Sequence, residues 1–252
     1  MEDWYKADLA YIHDIGYGDF SDQAAVGILA CFQRHQIESG LVIDLGCGSG
    51  IWADHLVQAG YQVLGIDISE AMIGLARSRV PDAEFWVESL FTASLPTCQV
   101  VTVLGEGLNY LFDAEHNASR LGPIFQRVFD ALKPGGLFIF DLVEPGQVEA
   151  GQTSQGFREG EDWMVLVEKQ EDLESMILTR RIITFCQDGT LYRRDEEIHR
   201  QQLYNADEIA AQLQQIGFQV QISNAYGEYE LAIARKAITA RKPSTGKAQF
   251  AS

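Results

Sequence analysis

LVIDLGCGSG, residues 41–50, reads as a strand that runs directly into a ligand-binding turn. Its aliphatic, β-branched start suits a strand buried on both faces of a parallel sheet, and at Asp44 it breaks into a turn carrying Gly46, Gly48 and Gly50. Without Cβ atoms these residues reach positive φ angles and let a ligand approach their peptide groups closely. The next stretch, IWADHLVQAG, has helical character, so the free N–H groups of its first turn point into the same space. A strand, a glycine turn and a helix N-terminus form half of a nucleotide-type pocket.

The other half lies one unit on, in YQVLGIDISEAM, residues 61–72. Gln62 to Ile66 reads as a second buried strand ended by Asp67, and Ser69 is placed to N-cap a helix continuing through Met72, Leu75 and Ala76. Asp67 falls about twenty residues after the glycine turn, where a doubly wound sheet puts the acid that accepts hydrogen bonds from ribose hydroxyls. A ribose is therefore expected in the ligand. The dinucleotide fingerprint has its third glycine five positions after its first, but here Gly50 comes four after Gly46 and position 51 is Ile. That spacing disfavours a nicotinamide-dependent oxidoreductase, and the absence of a following lysine excludes a P-loop.

Taken in order, DLGCGSG, LGIDISEAM and LKPGGLFIFDL resemble the glycine motif, the acidic ribose-binding segment and the late helix-turn-strand segment of the class I S-adenosylmethionine-dependent methyltransferases. The resemblance runs from residue 40 to 142 and rests on the ordered set, since a lone glycine loop is weak evidence. It implies an α/β fold with a doubly wound, Rossmann-like, seven-stranded and mostly parallel sheet, finished by an antiparallel hairpin. It also implies S-adenosylmethionine as cofactor, S-adenosylhomocysteine as product, and no metal. By position it assigns cofactor contacts to Asp44 (toward the amino-acid end), Gly46, Cys47, Gly48, Gly50, Asp67 and Ile68 (beside adenine). Ser89 and Leu90 in ESLFTASLP, and Leu104 and Gly105 after the fourth strand, complete the set. Many members carry an acid where Ser89 stands, so the Leu90 backbone N–H is the expected adenine contact there. Cys47 has no paired histidine in view and reads as a small side chain tolerated in a tight turn rather than a nucleophile. The alternative reading is a protein that binds the cofactor without turnover.

Composition narrows the partners. A chain of 252 residues with 46% hydrophobic positions can bury one α/β domain plus an elaboration. A net charge of −17 argues against nucleic acid and anionic membranes, and favours a small-molecule acceptor. The four cysteines, Cys31, Cys47, Cys98 and Cys186, show neither disulfide nor zinc spacing. With no secretory leader pattern and no run near eighteen apolar residues, a cytoplasmic protein is expected, as monomer or homodimer.

In chain order, residues 1–20 are crowded with Trp4, Tyr5, Tyr11, Tyr17 and Phe20, with His13 among them. The resemblance makes this leader a lid over the cofactor, with Tyr11 and Tyr17 as acceptor contacts. Ser21 is expected to cap a helix whose Val26, Leu29, Ala30 and Ile37 face the sheet. AEFWVE gives the third strand, whose Trp86 reads as core before adenine stacker. After the fourth strand, QVVTVLGEGLNYL places Glu106 and Tyr110 where open α/β sheets bind ligands. A helix from Ala118 to Leu132 stops at Lys133-Pro134-Gly135-Gly136, and LFIFDL is the fifth strand. Asn205 caps the last helix, and FQVQISNAYGEYELAIARKA supplies the closing hairpin.

Residues 145–204 thus form an insertion, which divides the cofactor domain into 21–144 and 205–240, with 241–252 as a frayed tail. EPGQVEAGQTSQG is loop-like, and WMVLVEKQ, SMILTRRIITFC and TLYRRDEEIHRQQLY read as antiparallel strands, with a type I′ hairpin at Asp188-Gly189. Such a sheet resembles those covering the acceptor in small-molecule methyltransferases. Its arginines, Arg180, Arg181, Arg193, Arg194 and Arg200, read either as contacts for an anionic substrate group or, as the interleaved Asp195, Glu196 and Glu197 favour, as members of solvated cross-strand pairs. Transfer by in-line displacement to nitrogen needs no general base, whereas transfer to oxygen wants one, for which His13, Glu106 and His199 are candidates.

Overall fold

The computed structural model describes residues 4–112 and 121–244. Five strands form its parallel centre: β1 (Leu41–Leu45), β2 (Gln62–Asp67), β3 (Glu84–Val87), β4 (Cys98–Val103) and β5 (Leu132–Val143). β10 (Gln219–Ser223) and β11 (Arg235–Arg241) add the antiparallel hairpin, giving the order β10-β11-β5-β4-β1-β2-β3. β1 lies between β2 and β4, parallel to both, so chain order reverses beside it and the ends of β1 and β4 open a crevice.

Helices cover both faces. α5 (Leu121–Ala131) and α6 (Ala206–Ile216) bury Phe125 and Leu213 with Phe138 and Phe140 of β5. α2 (Asp19–Arg34), α3 (Ile51–Gln58) and α4 (Glu70–Arg79) bury Ile28, Phe32, Trp52 and Ile73 on the other face. Ser69 caps α4 by accepting from Met72 N at 3.2 Å, and Asn205 caps α6 through Asp207 N at 2.9 Å. The seating of α2 departs from expectation. The helix starts at Asp19 after Gly18, Ser21 lies inside it, and Val26 is 75% exposed while Ala24, Ile28 and Phe32 are buried. Gly27 explains the rotation: its missing side chain lets the helix press on the Tyr226 backbone, and this turns Val26 outward.

Residues 118–120 of the expected helix lie outside the described residues, as do 1–3 of the leader and 245–252 of the tail. The start of that tail is held, because Lys242 Nζ donates to the carbonyls of Phe129 (2.6 Å) and Leu132 (2.7 Å). The leader folds as α1 (Ala7–Gly16), whose Leu9 and Ile12 pack on Trp163, Val165 and Ile182 of the insertion. The insertion is a four-stranded antiparallel sheet of β6 (Thr153–Glu159), β7 (Trp163–Asp172), β8 (Ile177–Asp188) and β9 (Leu191–Gln202). β6 begins where loop was expected; it is a polar, exposed edge, recognisable only by its pairing with β7. Asp188 pairs with Leu191, so Gly189 (φ +64°) and Thr190 form the hairpin loop. Glycine in the first loop position makes it type II′, not I′.

Candidate active site

The glycine turn is bound back onto β2, with Gly46 N and Cys47 N donating to Ile66 O at 2.7 and 3.1 Å. Gly46 and Gly48 hold φ of +72° and +53°, and a Cβ on either would project into open space. Gly50 (φ +79°) differs: a Cβ there would meet Ala76 Cβ at 3.0 Å, and the residue is absent from the cavity wall. It lets α3 approach α4, which corrects its expected place among the cofactor contacts. Asp67 accepts from Gly48 N (2.9 Å) and Ser69 N (2.8 Å), which aims its carboxylate into the crevice. Asp44 is buried and accepts from Thr102 Oγ1 at 2.7 Å; Trp52 Nε1 in turn donates to that hydroxyl at 3.1 Å. Burial pushes the Asp44 carboxyl up to about 7, Thr102 opposing and Asp67 adding to the effect. Two acids desolvated side by side favour a cationic ligand group between them. Burial also drives the Cys47 thiol upward, with both acids adding, so it is no thiolate.

From this turn a cavity of about 670 Å³ extends beneath the insertion. Ile68, Ser89, Leu90 and Leu104 line one end; Trp86 does not. Arg127 shapes that end by donating to the carbonyls of Leu90 (2.7 Å) and Phe91 (2.8 Å). At the other end, Glu106 follows Gly105, both at positive φ (+68° and +77°), and Asp141 braces the turn by accepting from Gly105 N and Glu106 N at 3.0 and 2.9 Å. Asp141 also accepts from Tyr226 Oη (3.1 Å) and Arg235 Nε (2.8 Å). Glu106 lies between Arg180 (2.8 Å), Arg235 (3.4 Å) and Gln201 Nε2 (2.8 Å). Burial works against its charge, but the two guanidinium groups outweigh it and hold the carboxyl at about 2. The Tyr5 and Tyr110 hydroxyls meet at 3.0 Å overhead, beside His13, whose imidazole burial pushes down to about 4 against Asp14.

Residues 42–136 match a family described as methyltransferase domain. The chain is an S-adenosylmethionine-dependent methyltransferase with the fold of the class I enzymes. It is 26% identical over 177 residues to the dTDP-3-amino-3,6-dideoxy-alpha-D-glucopyranose N,N-dimethyltransferase of Streptomyces fradiae, covering 62% of this chain and 68% of that one. In fold it is similar to an S-adenosylmethionine-dependent methyltransferase from Clostridium acetobutylicum (TM-score 0.79, 18% identity, 93% of this chain and 98% of that one). It is also similar to a sugar N-methyltransferase from Streptoalloteichus sp. (TM-score 0.78, 17% identity, 97% and 96%). S-adenosylmethionine is its cofactor, and the cradle fits it: two glycines whose missing Cβ atoms leave room, and a half-buried acid, Asp67, with acceptors to spare.

The methyltransferase brings Asp44, Gly46, Cys47, Gly48, Asp67, Ile68, Ser89, Leu90, Leu104 and Gly105 to one cavity, with His13, Tyr17, Glu106 and Tyr110. Besides Gly50, two expected residues fall elsewhere. His199 is buried outside the lining, its Nε2 2.8 Å from Glu197, which accepts from Tyr5 N and Lys6 N at 2.9 Å each. The inner face of β9 lies behind Tyr5 and Phe112, so this histidine anchors the leader. Tyr11 is exposed and donates to Asp162 at 3.0 Å. Glu106, held ionised by two arginines, is a brace and not a poised base. Tyr5, Asp141, Lys169 and Arg235 were not singled out as site residues, and Arg180 was expected at the surface. For Arg180 a signal existed: it alternates with Leu178 and Ile182 on the inward face of β8, whereas Arg181 and Arg194 pair with Glu196 outside. Among the described residues no cluster of three or more His, Cys, Asp or Glu is placed to hold a metal, and no helix is long and apolar enough to cross a membrane.

Proposed function

We propose that the methyltransferase acts on a nitrogen or oxygen of a small-molecule acceptor by in-line displacement. In this reading residues 1–20 form a lid, 145–204 cover the acceptor, and 21–144 with 205–240 bind the cofactor. The observation that carries it is the cavity, whose 670 Å³ is the size of a small-molecule pocket and joins the glycine turn to the polar end under the insertion. The printed names of the sugar N-methyltransferase and the amino-sugar N,N-dimethyltransferase support an amine on a sugar-sized acceptor.

S-adenosylmethionine, when bound, supplies an electrophilic methyl group on sulfur. The chain's part is to bind, orient and dry the reactants. Asp67 takes the ribose hydroxyls, the Gly46–Gly48 amides line the cofactor's approach, and Asp44 faces its ammonium group. The stacked rings of Trp4, Phe112 and Tyr110 close the roof against water. His13 is neutral at pH 7 and lines the cavity, where it receives a proton from a hydroxyl acceptor; an amine acceptor has no need of it.

The test offers S-adenosylmethionine with a panel of amino sugars, their hydroxyl counterparts and a protein extract, and follows S-adenosylhomocysteine release. Turnover on small acceptors is expected. Methylation confined to macromolecules would overturn the proposal. For a hydroxyl acceptor, His13→Gln should lower kcat by roughly 10²-fold or more, and by far less for an amine.

A further inference from the structure

The inward face of the insertion carries a row of polar residues running straight across its strands. Ser154 of β6 pairs with Lys169 of β7, Lys169 with Arg180 of β8, and Arg180 with His199 of β9. Ser154, Lys169 and Arg180 all line the cavity. Paired residues stand on the same face of a sheet, so the Lys169 and Arg180 side chains project together into this space. Two cations directly opposite one another destabilise a sheet. Here they do so in a chain whose net charge is −17 and which has acids to spare.

The local charges do not cancel. Glu106 answers Arg180, and Asp141 answers Arg235, through contacts of 2.8 Å in each case. Lys169 is half-buried, and no carboxylate lies within ion-pair distance of it among the described residues. Burial and then Arg180 pull its ammonium below the ordinary lysine value, with Glu106 opposing from behind Arg180. Arg180 itself keeps a buried Nε without a partner. The Ser154 hydroxyl sits at the exposed end of the row, where the cavity opens. On the outer face the neighbouring pair is Glu168 opposite Arg181, of opposite sign, as a purely structural sheet would have it.

We propose that Ser154, Lys169 and Arg180 form a subsite for an anionic group, carboxylate or phosphate, carried by the acceptor. The inference rests on the small-molecule reading above and narrows it to acceptors with an anionic arm. Lys169 supplies the charge, Ser154 a hydroxyl donor at the mouth, and Arg180 a second positive charge held by Glu106. A group docked there extends from the insertion toward the glycine turn, so the anion holds one end of the acceptor while its nucleophile reaches the cofactor end. The apolar Val165, Val167 and Ile182 beside the row keep water away from these charges and strengthen their pull on the anion.

The probes are inorganic phosphate and malonate, titrated calorimetrically and separately into the full chain saturated with S-adenosylhomocysteine. At least one should bind to the wild type, and Lys169→Met should weaken it by about tenfold or more, as expected for loss of a charge-assisted contact. Lys169→Arg should retain binding, and Ser154→Ala, on an exposed edge that folding does not depend on, should weaken it several-fold. Preference for phosphate assigns a phosphorylated acceptor, and preference for malonate a carboxylate. Each variant should bind S-adenosylhomocysteine as the wild type does. If S-adenosylhomocysteine binds but neither anion does, or if Lys169→Met holds the anion as well as the wild type, the subsite is refuted while the methyltransferase reading stands. If S-adenosylhomocysteine fails to bind to wild type, both fall.

Discussion

Asp67→Ala probes the cofactor half of the site, and its effect can be worked from the contacts. A carboxylate offers about four acceptor positions. Two are used, by Gly48 N on one oxygen and Ser69 N on the other, so each oxygen keeps capacity for one ribose hydroxyl. Hydrogen bonds to a charged group contribute about 1.5–3 kcal/mol net. Burial raises the Asp67 carboxyl above its ordinary value, with the backbone donors opposing, so part of that gain is offset by holding the acid ionised. A total loss of about 1.5–3 kcal/mol follows, or roughly 10- to 150-fold in Kd. Titration calorimetry with S-adenosylhomocysteine measures it. Ligand-free stability should change little, since relief of the buried charge offsets the two stranded N–H groups. Asp67→Asn keeps one acceptor oxygen and should lie between. A shift below about threefold with an unaltered ligand-free melting curve would show that Asp67 does not hold the ribose.

Gly46→Ala places a methyl group in the cofactor cradle at φ +72°, so S-adenosylhomocysteine affinity should collapse while thermal unfolding records only about 1–2 kcal/mol of backbone strain. The Asp44 carboxyl is raised from 3.8 to about 7, so between those values the folded chain holds a proton that the unfolded chain has released, and stability falls as pH rises through that window. Asp44→Asn without cofactor should therefore melt higher than the parent at pH 8 and level with it below pH 4; an equal gap at both would contradict the assignment. Glu106→Gln strands the Arg180 guanidinium, while Arg235 keeps Asp141, and should cost about 3 kcal/mol in urea unfolding at pH 7. Because Glu106 is held down at about 2 in the fold against 4.5 ordinarily, its stabilisation is complete above pH 4.5 and is lost as pH falls toward 2, so the gap between variant and parent should close across that range.

The reading of residues 41–87 from sequence agrees with the structure because its signals are local. A buried strand announces itself in apolar runs, Ser69 caps the helix that starts beside it, and Asp67 reaches a turn hydrogen-bonded to its own strand. Errors arise where a remote segment decides the outcome. Val26 was expected inward, but contact of Gly27 with Tyr226 sets the rotation of α2. Gly50 looked like its two neighbours, yet it is the approach of Ala76 that requires glycine there. The alternation of polar and apolar residues around Arg180 and His199 marks one face of a strand without saying what that face meets; Glu106 meets Arg180, and Glu197 meets His199.

The sequence by itself determined the α/β class and the glycine-turn pocket, because turn conformation, capping and strand burial depend on residues within a few positions of one another, and it pointed to the cofactor through the resemblance of its ordered motifs to a known family. Only the tertiary structure decided the acceptor end. There Tyr5 meets Tyr110 across 105 residues of chain, Arg180 meets Glu106 across 74, and Asp141 braces Gly105 across 36. Which side chains of the insertion face inward is set by the pairing of its strands and by what α1 and the loop after β4 press against them. A slip of one residue in that pairing would turn Lys169 and Arg180 to solvent without changing any local pattern.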